Sequence, residues 1–467
     1  NETSKLRLYC FISDVTKEKE YEIELKNSAY YDSLTGLYNR SAFFMSAKEL
    51  LRENPDTAYA VYRINIGSFK IINDIMGREI GDKVLVSIAT VLNRVISQNG
   101  LFSRFFADNF AVMVPADSIA PETVLDEIRQ EVDNACLISQ DINYYIGVYL
   151  ITERTTPIED ICDRAAIACR SVSGSFSKYV AYYDSKMRET MLEEQEIRAE
   201  THRAIVKGEF CIYYQPVYGV RAKKFVCAEA LVRWIHPTKG IVPPGKFIPV
   251  FERNGFIADL DLYVLEQVCK YQEKRRKMGL EPFPISVNIS RMSLYNPNLY
   301  DIIRMLADKY GVEPRCFRIE ITETAYNDNP AQLLETVNKL RKSGFPVLMD
   351  DFGSGYSSLN TLKDIPIDIL KLDMKFMQGF ENNDRVGTIV TAVSRMSKWL
   401  DIPMLAEGVE TKEQYDFLKS IGCSYIQGYY FSRPVPEDLF TDITQKEEVT
   451  PAEKNIESYG INFEVNE

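Results

Sequence analysis

Histidine is nearly missing from this chain: His202 and His236 are the only two among 467 residues. That excludes a zinc site built on imidazoles and leaves acid–base and metal chemistry to carboxylates, amides and lysine. His236 precedes Pro237 and reads as an incidental loop residue. Paired-cysteine motifs are missing too. The nine cysteines are scattered without C-x-x-C spacing, as expected of reduced thiols in a cytoplasmic protein. No apolar window is long enough to span a bilayer and no secretory signal pattern is present, which leaves a membrane tether only to a segment ahead of Asn1. Positive charge is in deficit: 55 Lys and Arg face 67 Asp and Glu, for a net charge of −12. A general surface for nucleic acid polymers is thereby excluded, and an anionic ligand would need local help from metal ions, arginine and lysine.

What the sequence does hold is an acid pair at the end of an apolar run. Residues 345–349, Phe-Pro-Val-Leu-Met, read as a short buried strand, followed at once by Asp350 and Asp351 and by a loop rich in Gly, Ser and Tyr. Alternate side chains of a strand point to opposite faces, so an adjacent pair can serve one site only where the strand is ending. Such a pair suits hard divalent cations, two of which can share one member. The design recurs downstream of residue 208. Apolar runs at 210–214, 225–228, 285–287, 317–319, 369–370, 404–406 and 425–426 lead to Gln215, Glu229, Asn288, Glu320, Lys371, Glu407 and Gln427. Helix-like segments, such as 260–278, 297–310, 330–342, 384–400 and 412–421, separate them. Eight strand–helix repeats with chemistry at the strand C-termini predict a (β/α)8 barrel over residues 208–440.

Glu229-Ala230-Leu231, followed by Val232-Arg233-Trp234, resembles the signature of the EAL family of cyclic di-GMP phosphodiesterases. Asn288-Ile289-Ser290, Glu320-Ile321-Thr322-Glu323, Asp350-Asp351-Phe352-Gly353, Lys371-Leu372-Asp373, Ala406-Glu407-Gly408-Val409-Glu410 and Gln427-Gly428-Tyr429 fall in that family's order, over roughly residues 200–437. The resemblance implies a TIM-type barrel that opens cyclic di-GMP to linear 5′-pGpG with two Mg²⁺ or Mn²⁺ ions. By the same resemblance Glu229, Asn288, Glu320 and Asp350 hold one ion. Asp350 bridges to the second, with Asp351 beside it, and Glu407 and Gln427 complete that site. Lys371 and Glu407 both stand as groups that could handle the attacking water, and the sequence does not apportion the role. Arg233 resembles the phosphate clamp, Gln215 a substrate contact, and Glu323 the residue that holds the loop 352–358. A homodimer is implied as well. Against these readings, Lys371 and Asp373 could form a simple surface pair, and the whole barrel could be a non-catalytic cyclic di-GMP receptor. Degenerate receptors usually lose a carboxylate or a loop glycine, whereas every aligned position is kept here.

Residues 29–184 resemble a GGDEF (diguanylate cyclase) domain in outline, so the fold class is α/β throughout: a cyclase-like domain, then the barrel. The stretch from Asp32 to Arg40, Asp-Ser-Leu-Thr-Gly-Leu-Tyr-Asn-Arg, matches that family's opening motif, and Phe69 to Asp74 with Gly81-Asp82 its guanine-side motif. Its chemistry is not kept. Asn65-Ile66-Gly67 stands where the family has an Asp-x-Asp metal site, and the signature loop reads Phe106-Ala107-Asp108-Asn109-Phe110. Glycines let backbone N–H groups approach a triphosphate closely, and Phe106 and Ala107 fill that space. A degenerate, non-catalytic domain is expected. Asn73 and Asp82 leave GTP open as a regulatory ligand, while the lost phosphate and metal contacts argue against activation by GTP. The first 28 residues resemble the end of a PAS-type sensor and its linking helix. A charged helix over 185–207 is expected to join the two domains, and 441–467 to form an acidic tail.

Overall fold

The computed structural model describes residues 29–97, 100–136, 142–175, 177–326, 329–353, 362–373, 384–445 and 449. The expected sensor strand and helix in residues 1–28, the loop beyond Gly353 and most of the tail lie outside these. The chain forms two compact units that part between Gln195 and Glu196. That boundary falls inside one helix, Ser185–Val206.

The N-terminal unit is a five-stranded sheet between two layers of helices. Its strands are β1 (Tyr59–Ile66), β2 (Leu101–Phe106), β3 (Asn109–Pro115), β4 (Tyr144–Leu150) and β5 (Val180–Tyr182), in the order β2-β3-β1-β4-β5. The period-2 alternation of a strand sorts the side chains between the layers. On β1, Ala60, Tyr62, Ile64 and Ile66 pack with Val84, Ile88 and Leu92 of the helix Arg78–Ile96. Tyr59 and Val61 face the other way, onto Phe43 and Ala47 of the helix Arg40–Glu53 and Ile161 of the helix Ile158–Val172. The opening motif is a structural turn. Asp32 Oδ1 accepts from the Thr35 amide at 2.9 Å, its hydroxyl at 2.7 Å and Arg104 Nη1 at 2.9 Å. At the β2–β3 turn Ala107 has φ 47°, a left-handed conformation that burdens any residue with a Cβ.

The second unit is a closed barrel of eight strands: β6 (Phe210–Gly219), β7 (Lys224–His236), β9 (Ile285–Asn288), β10 (Phe317–Thr322), β11 (Val347–Phe352), β12 (Ile369–Leu372), β13 (Met404–Ala406) and β14 (Tyr425–Ile426). Two short strands, β8 (Gly240–Val242) and β15 (Val435–Pro436), extend it at β7 and β6. Seven barrel strands run parallel. The expectation of eight strand–helix repeats fails at the first: β6 and β7 form an antiparallel hairpin across the turn 220–223, and β6 also meets β14 antiparallel. Consequently Gln215 and Glu229 do not end their strands. They are direct partners in mid-hairpin. His236 is not incidental either. It ends β7, 5% exposed, with Nε2 2.7 Å from Glu200 Oε2.

Inside the barrel the same alternation builds a floor and a site. Val217, Cys227, Leu348, Ile369 and Leu405 pack together as one interior cluster. Two residues further along each parallel strand stand Glu229, Asp350, Lys371 and Glu407. On the reversed β6 the corresponding residue is two positions earlier, Gln215. Burying each aliphatic member of the floor is worth about 1.5–3 kcal/mol, so the barrel's core does not depend on the polar layer above it. The acid pair shows a second departure from expectation. Strand β11 does not end at Met349 but continues to Phe352, with a bulge in its pairing to β12 between Met349 and Phe352. Asp351 sits in that bulge at φ 55°. A bulge re-aims side chains at a sheet position, and Asp is among the few residues that tolerate the left-handed region.

One buried acid ties the helix Ile257–Lys277 to the site's rim. Asp261, 6% exposed, accepts from the Ser290 amide at 2.9 Å, just past β9. Burial pushes its carboxyl up to about 6. The folded state therefore holds this proton more tightly than the unfolded chain, where an aspartate titrates near 3.9. Stability from this group is full below pH ~4 and falls by about 3 kcal/mol as pH rises to ~6. Asp261→Asn keeps an acceptor for Ser290 and should flatten that slope in denaturant melts between pH 4 and 7. An unchanged slope would show that burial of Asp261 is not its source.

Candidate active site

The interior face of the barrel carries its polar layer around one lysine. Lys371, 1% exposed on β12, places Nζ 2.5 Å from Glu320 Oε2, 2.6 Å from Glu407 Oε1, 3.2 Å from Asp350 Oδ2 and 3.3 Å from Glu229 Oε2. The surface-pair reading of Lys371 and Asp373 fails outright, since Asp373 is only 5% exposed. Five strands thus deliver one ammonium and four carboxylates to a single point. Amides hold the frame. Asn288 Nδ2 donates to Glu229 Oε1 and Gln427 Nε2 to Glu229 Oε2, both at 2.6 Å. Gln427 Nε2 also donates to Gln215 Oε1 at 3.1 Å, and Gln215 Nε2 to the Ser432 carbonyl at 3.3 Å.

Crowded carboxylates in a dry site cannot all ionise freely. Burial pushes the Glu320 carboxyl well above its ordinary range, and the Glu229 and Asp350 charges add to this against the pull of Lys371. Burial also pushes Glu407 up to about 8, with Asp350 and Glu229 reinforcing it. Glu229 resists its burial, because Lys371, Gln427 and Asn288 together hold it below the ordinary value. Burial alone would depress Lys371, but the surrounding carboxylates raise it well above the usual lysine value. The site is thus short of positive charge in the absence of any added cation.

Oxygen atoms of Glu229, Glu320 and Asp350 all lie within 4.8 Å of one another. Gln427 Oε1 is buried without a hydrogen-bond partner among the described residues. An all-oxygen donor set with a surplus of negative charge, beside a buried and unsatisfied amide carbonyl, fits hard divalent cations such as Mg²⁺ or Mn²⁺. Among the described residues Asp351 is not one of the three carboxylates of this cluster. Glu323, 3% exposed, opens the short 3₁₀ turn after β10, and its Oε2 accepts from the Gly353 amide at 3.0 Å. It thereby holds the first glycine of the loop whose remainder lies outside the described residues. Arg233 stands four residues along β7 from Glu229, on the same strand face. Its Nη1 donates to the Val232 carbonyl at 2.8 Å, and its guanidinium lies 5.8 Å from the Tyr213 ring centroid. The structure therefore brings together Gln215, Glu229, Asn288, Glu320, Asp350, Lys371, Glu407 and Gln427, and leaves Asp351, Glu323 and Arg233 around them. Sequence reasoning missed the burial of Asp373. Its signal was the two-residue spacing from Lys371.

Comparison with known proteins bears on this arrangement. The EAL domain family model matches residues 198–434, and the diguanylate cyclase, GGDEF domain model matches residues 29–174. An uncharacterized signaling protein of Caulobacter vibrioides is 32% identical over 448 residues, covering 94% of this chain and 55% of the relative. The cyclic di-GMP phosphodiesterase NbdA of Pseudomonas aeruginosa is 30% identical over 422 residues, covering 88% of this chain and 53% of the relative. The chain spans about half the length of these curated relatives. Among solved structures, the PaMucR phosphodiesterase in complex with c-di-GMP is 30% identical, with a TM-score of 0.50, over 52% of this chain and 99% of that one.

Removing the buried ammonium should expose its role. In Lys371→Met the carboxylates lose their common partner, which for a broken buried pair costs about 3–5 kcal/mol. The variant should melt lower than wild type in EDTA at pH 8, and Mn²⁺ should raise its melting temperature by more than it raises that of wild type. Equal gains in the two proteins would show that lysine and metal do not share one set of carboxylates.

Proposed function

Since this chain belongs to the EAL domain family, with a GGDEF domain ahead of the barrel, we propose that it hydrolyses cyclic di-GMP to linear 5′-pGpG. The observation that carries this reading is the convergence of Glu229, Glu320 and Asp350 at one end of the barrel with Lys371 among them. The kept ligand set favours an enzyme over a silent receptor of the same ligand.

Glu229, Asn288, Glu320, Asp350 and Gln427 would hold two Mg²⁺ or Mn²⁺ ions, with Asp351 at their edge, and the ions would supply charge neutralisation and an acidified water. The chain's own groups do the rest. Lys371 directs its ammonium at the layer where the phosphoryl group lies, and so opposes charge developing on its oxygens. Glu407 is the most exposed of the four carboxylates around Lys371, its side chain at 21%. It is therefore the one that can take up the water's proton and return it to solvent. Arg233 clamps a phosphate and Gln215 meets the substrate beside it. Glu323 fixes Gly353 and, through it, the start of the glycine-rich loop. The N-terminal unit is read as non-catalytic, regulatory or structural. Its hairpin acid Asp108 accepts from Asn65 Nδ2 at 2.7 Å, so an amide stands where a second metal-binding acid would be needed. The working form is read as a cytoplasmic homodimer. Among the described residues no helix is long and apolar enough to cross a membrane.

Incubation of the purified chain with cyclic di-GMP and Mg²⁺ or Mn²⁺, followed by chromatography, should yield pGpG. Asp350→Ala should lower turnover by at least about 100-fold without unfolding the barrel, whose apolar floor is untouched. Wild-type turnover by that variant would sink the two-ion reading, and binding without turnover in the parent chain would favour the receptor. The same protein incubated with GTP and either metal should make no cyclic di-GMP. Product that disappears on changing Asp108 would overturn the non-catalytic reading of the N-terminal unit.

A further inference from the structure

One charge inside the barrel lies outside its polar layer. On β10 the alternation that turns Glu320 inward also turns Arg318 inward, two residues earlier. Arg318 thus stands one step below Glu320, as Cys227, Leu348, Ile369 and Leu405 of the apolar floor stand below Glu229, Asp350, Lys371 and Glu407. About 7 Å separates the Cα atoms of Arg318 and Glu320 at strand spacing. The register brings in a second acid. Ser286 on β9 is the direct partner of Arg318 on β10 and of Glu229 on β7. Arg318 and Glu229 therefore share one row, two strands and about 10 Å apart, both on the interior face.

Little on its own level answers this guanidinium. Nε and Nη1 are buried without a hydrogen-bond partner among the described residues. Ser286 gives its hydroxyl proton to the Ala228 carbonyl at 3.3 Å. The neighbouring Cys227 thiol reports where the charge acts. Burial raises it, Arg318 pulls it down, Glu320 pushes it up and Lys371 pulls it down again. One small side chain thus feels the arginine below and the glutamate and lysine above, so the two levels lie within electrostatic reach of each other. A guanidinium keeps its charge in a protein, and burial without a counter-charge is costly. The opposite sign is in excess one step above, where four carboxylates face one ammonium.

We infer that Arg318 is a second cation of the active site, a positioning residue that offsets the carboxylate charge from below and so limits how tightly the layer takes up divalent metal. The inference rests on the reading of that layer as a metal site. Lys371 answers the acids by contact and Arg318 through space. In a dry interior an attraction over such distances persists where a surface pair would be screened. A divalent ion bound by the same acids is repelled by Arg318, so loss of the arginine favours the ion.

The test is Mn²⁺ binding to the full chain at pH 8, read by loss of the free ion's electron paramagnetic resonance signal. Arg318→Met puts an apolar side chain in an apolar floor and should tighten Mn²⁺ binding by about fivefold or more. Should it fail to fold, Arg318→Gln carries the same expectation. Arg315→Met is the control. It removes the same charge from a side chain 78% exposed, three residues earlier, and should leave the affinity unchanged. Melts in EDTA supply a readout without metal. Arg318→Met and Glu229→Gln should be non-additive there, the double variant melting higher than the sum of the two single shifts predicts. A parent chain that binds no Mn²⁺ but shows this non-additivity would fault the metal reading and uphold the hold of Arg318 on the acids. Unchanged Mn²⁺ affinity in Arg318→Met, an equal gain in Arg315→Met, or additive shifts in EDTA would overturn the proposal.

Discussion

Everything at the mouth of the barrel depends on the balance between one buried ammonium and four carboxylates. Lys371 bonds to Glu229, Glu320 and Asp350, from three other strands, and to Glu407, which directly follows a fourth. A single positive charge cannot neutralise four negative ones in a dry site, so burial and neighbouring charge push the Glu320 and Glu407 carboxyls up, and Glu229 leans on Lys371 and on the amides of Gln427 and Asn288. That leaves a site hungry for cations and sized for oxygen ligands. The same geometry explains why the strands must hold their register: a slip of one residue on any of them would turn its carboxylate to the helix side and bring an apolar side chain inward.

Much of this was legible before any coordinates, because the chemistry recurs at the ends of apolar runs. The runs before Asn288, Glu320, Lys371, Glu407 and Gln427 fix both the strand and the face, and the structure brings these five side chains together. The direction of β6 was not legible. Alternation tells which residues share a face, but a strand reads the same whichever way it runs, and only the absence of a helix between 219 and 224 hinted at a hairpin. The bulge at Asp350–Asp351 was hidden for a similar reason. Adjacent acids implied that the regular strand had to be interrupted there, and a strand end and a bulge satisfy that demand equally well. His236 was misread because Pro237 marks a loop, while its burial against Glu200 depends on a helix remote in sequence.

In the N-terminal unit the substitutions were plain but their consequence was not. Loss of an acid at Asn65 and of glycine at Phe106 pointed to a non-catalytic domain with weakened phosphate and metal contacts. Arg63 stood in view as a lone charge in the run Tyr59–Ile66, whose other positions are apolar except Asn65. A single arginine in a central strand is a strong signal when no acid partner sits opposite. Its cross-strand neighbours are Ala111 and Gly147, neither of which can answer a charge.

The reversed strand β6 also sets an order of assembly. It pairs with β7 across a tight turn, but with β14 through Gly219 and Tyr425, far apart along the chain. The hairpin has little loop entropy to overcome and can form as soon as it is synthesised, whereas the seam with β14 must await nearly the whole barrel. Until then β6 is an open edge, with Tyr214, Val217 and Tyr218 among its residues and its hydrogen-bonding groups unpaired on one side. A nascent or C-terminally shortened chain would carry that edge uncovered, as a template for pairing with another copy. The strand that completes the barrel is therefore also the point at which its folding is most exposed to aggregation.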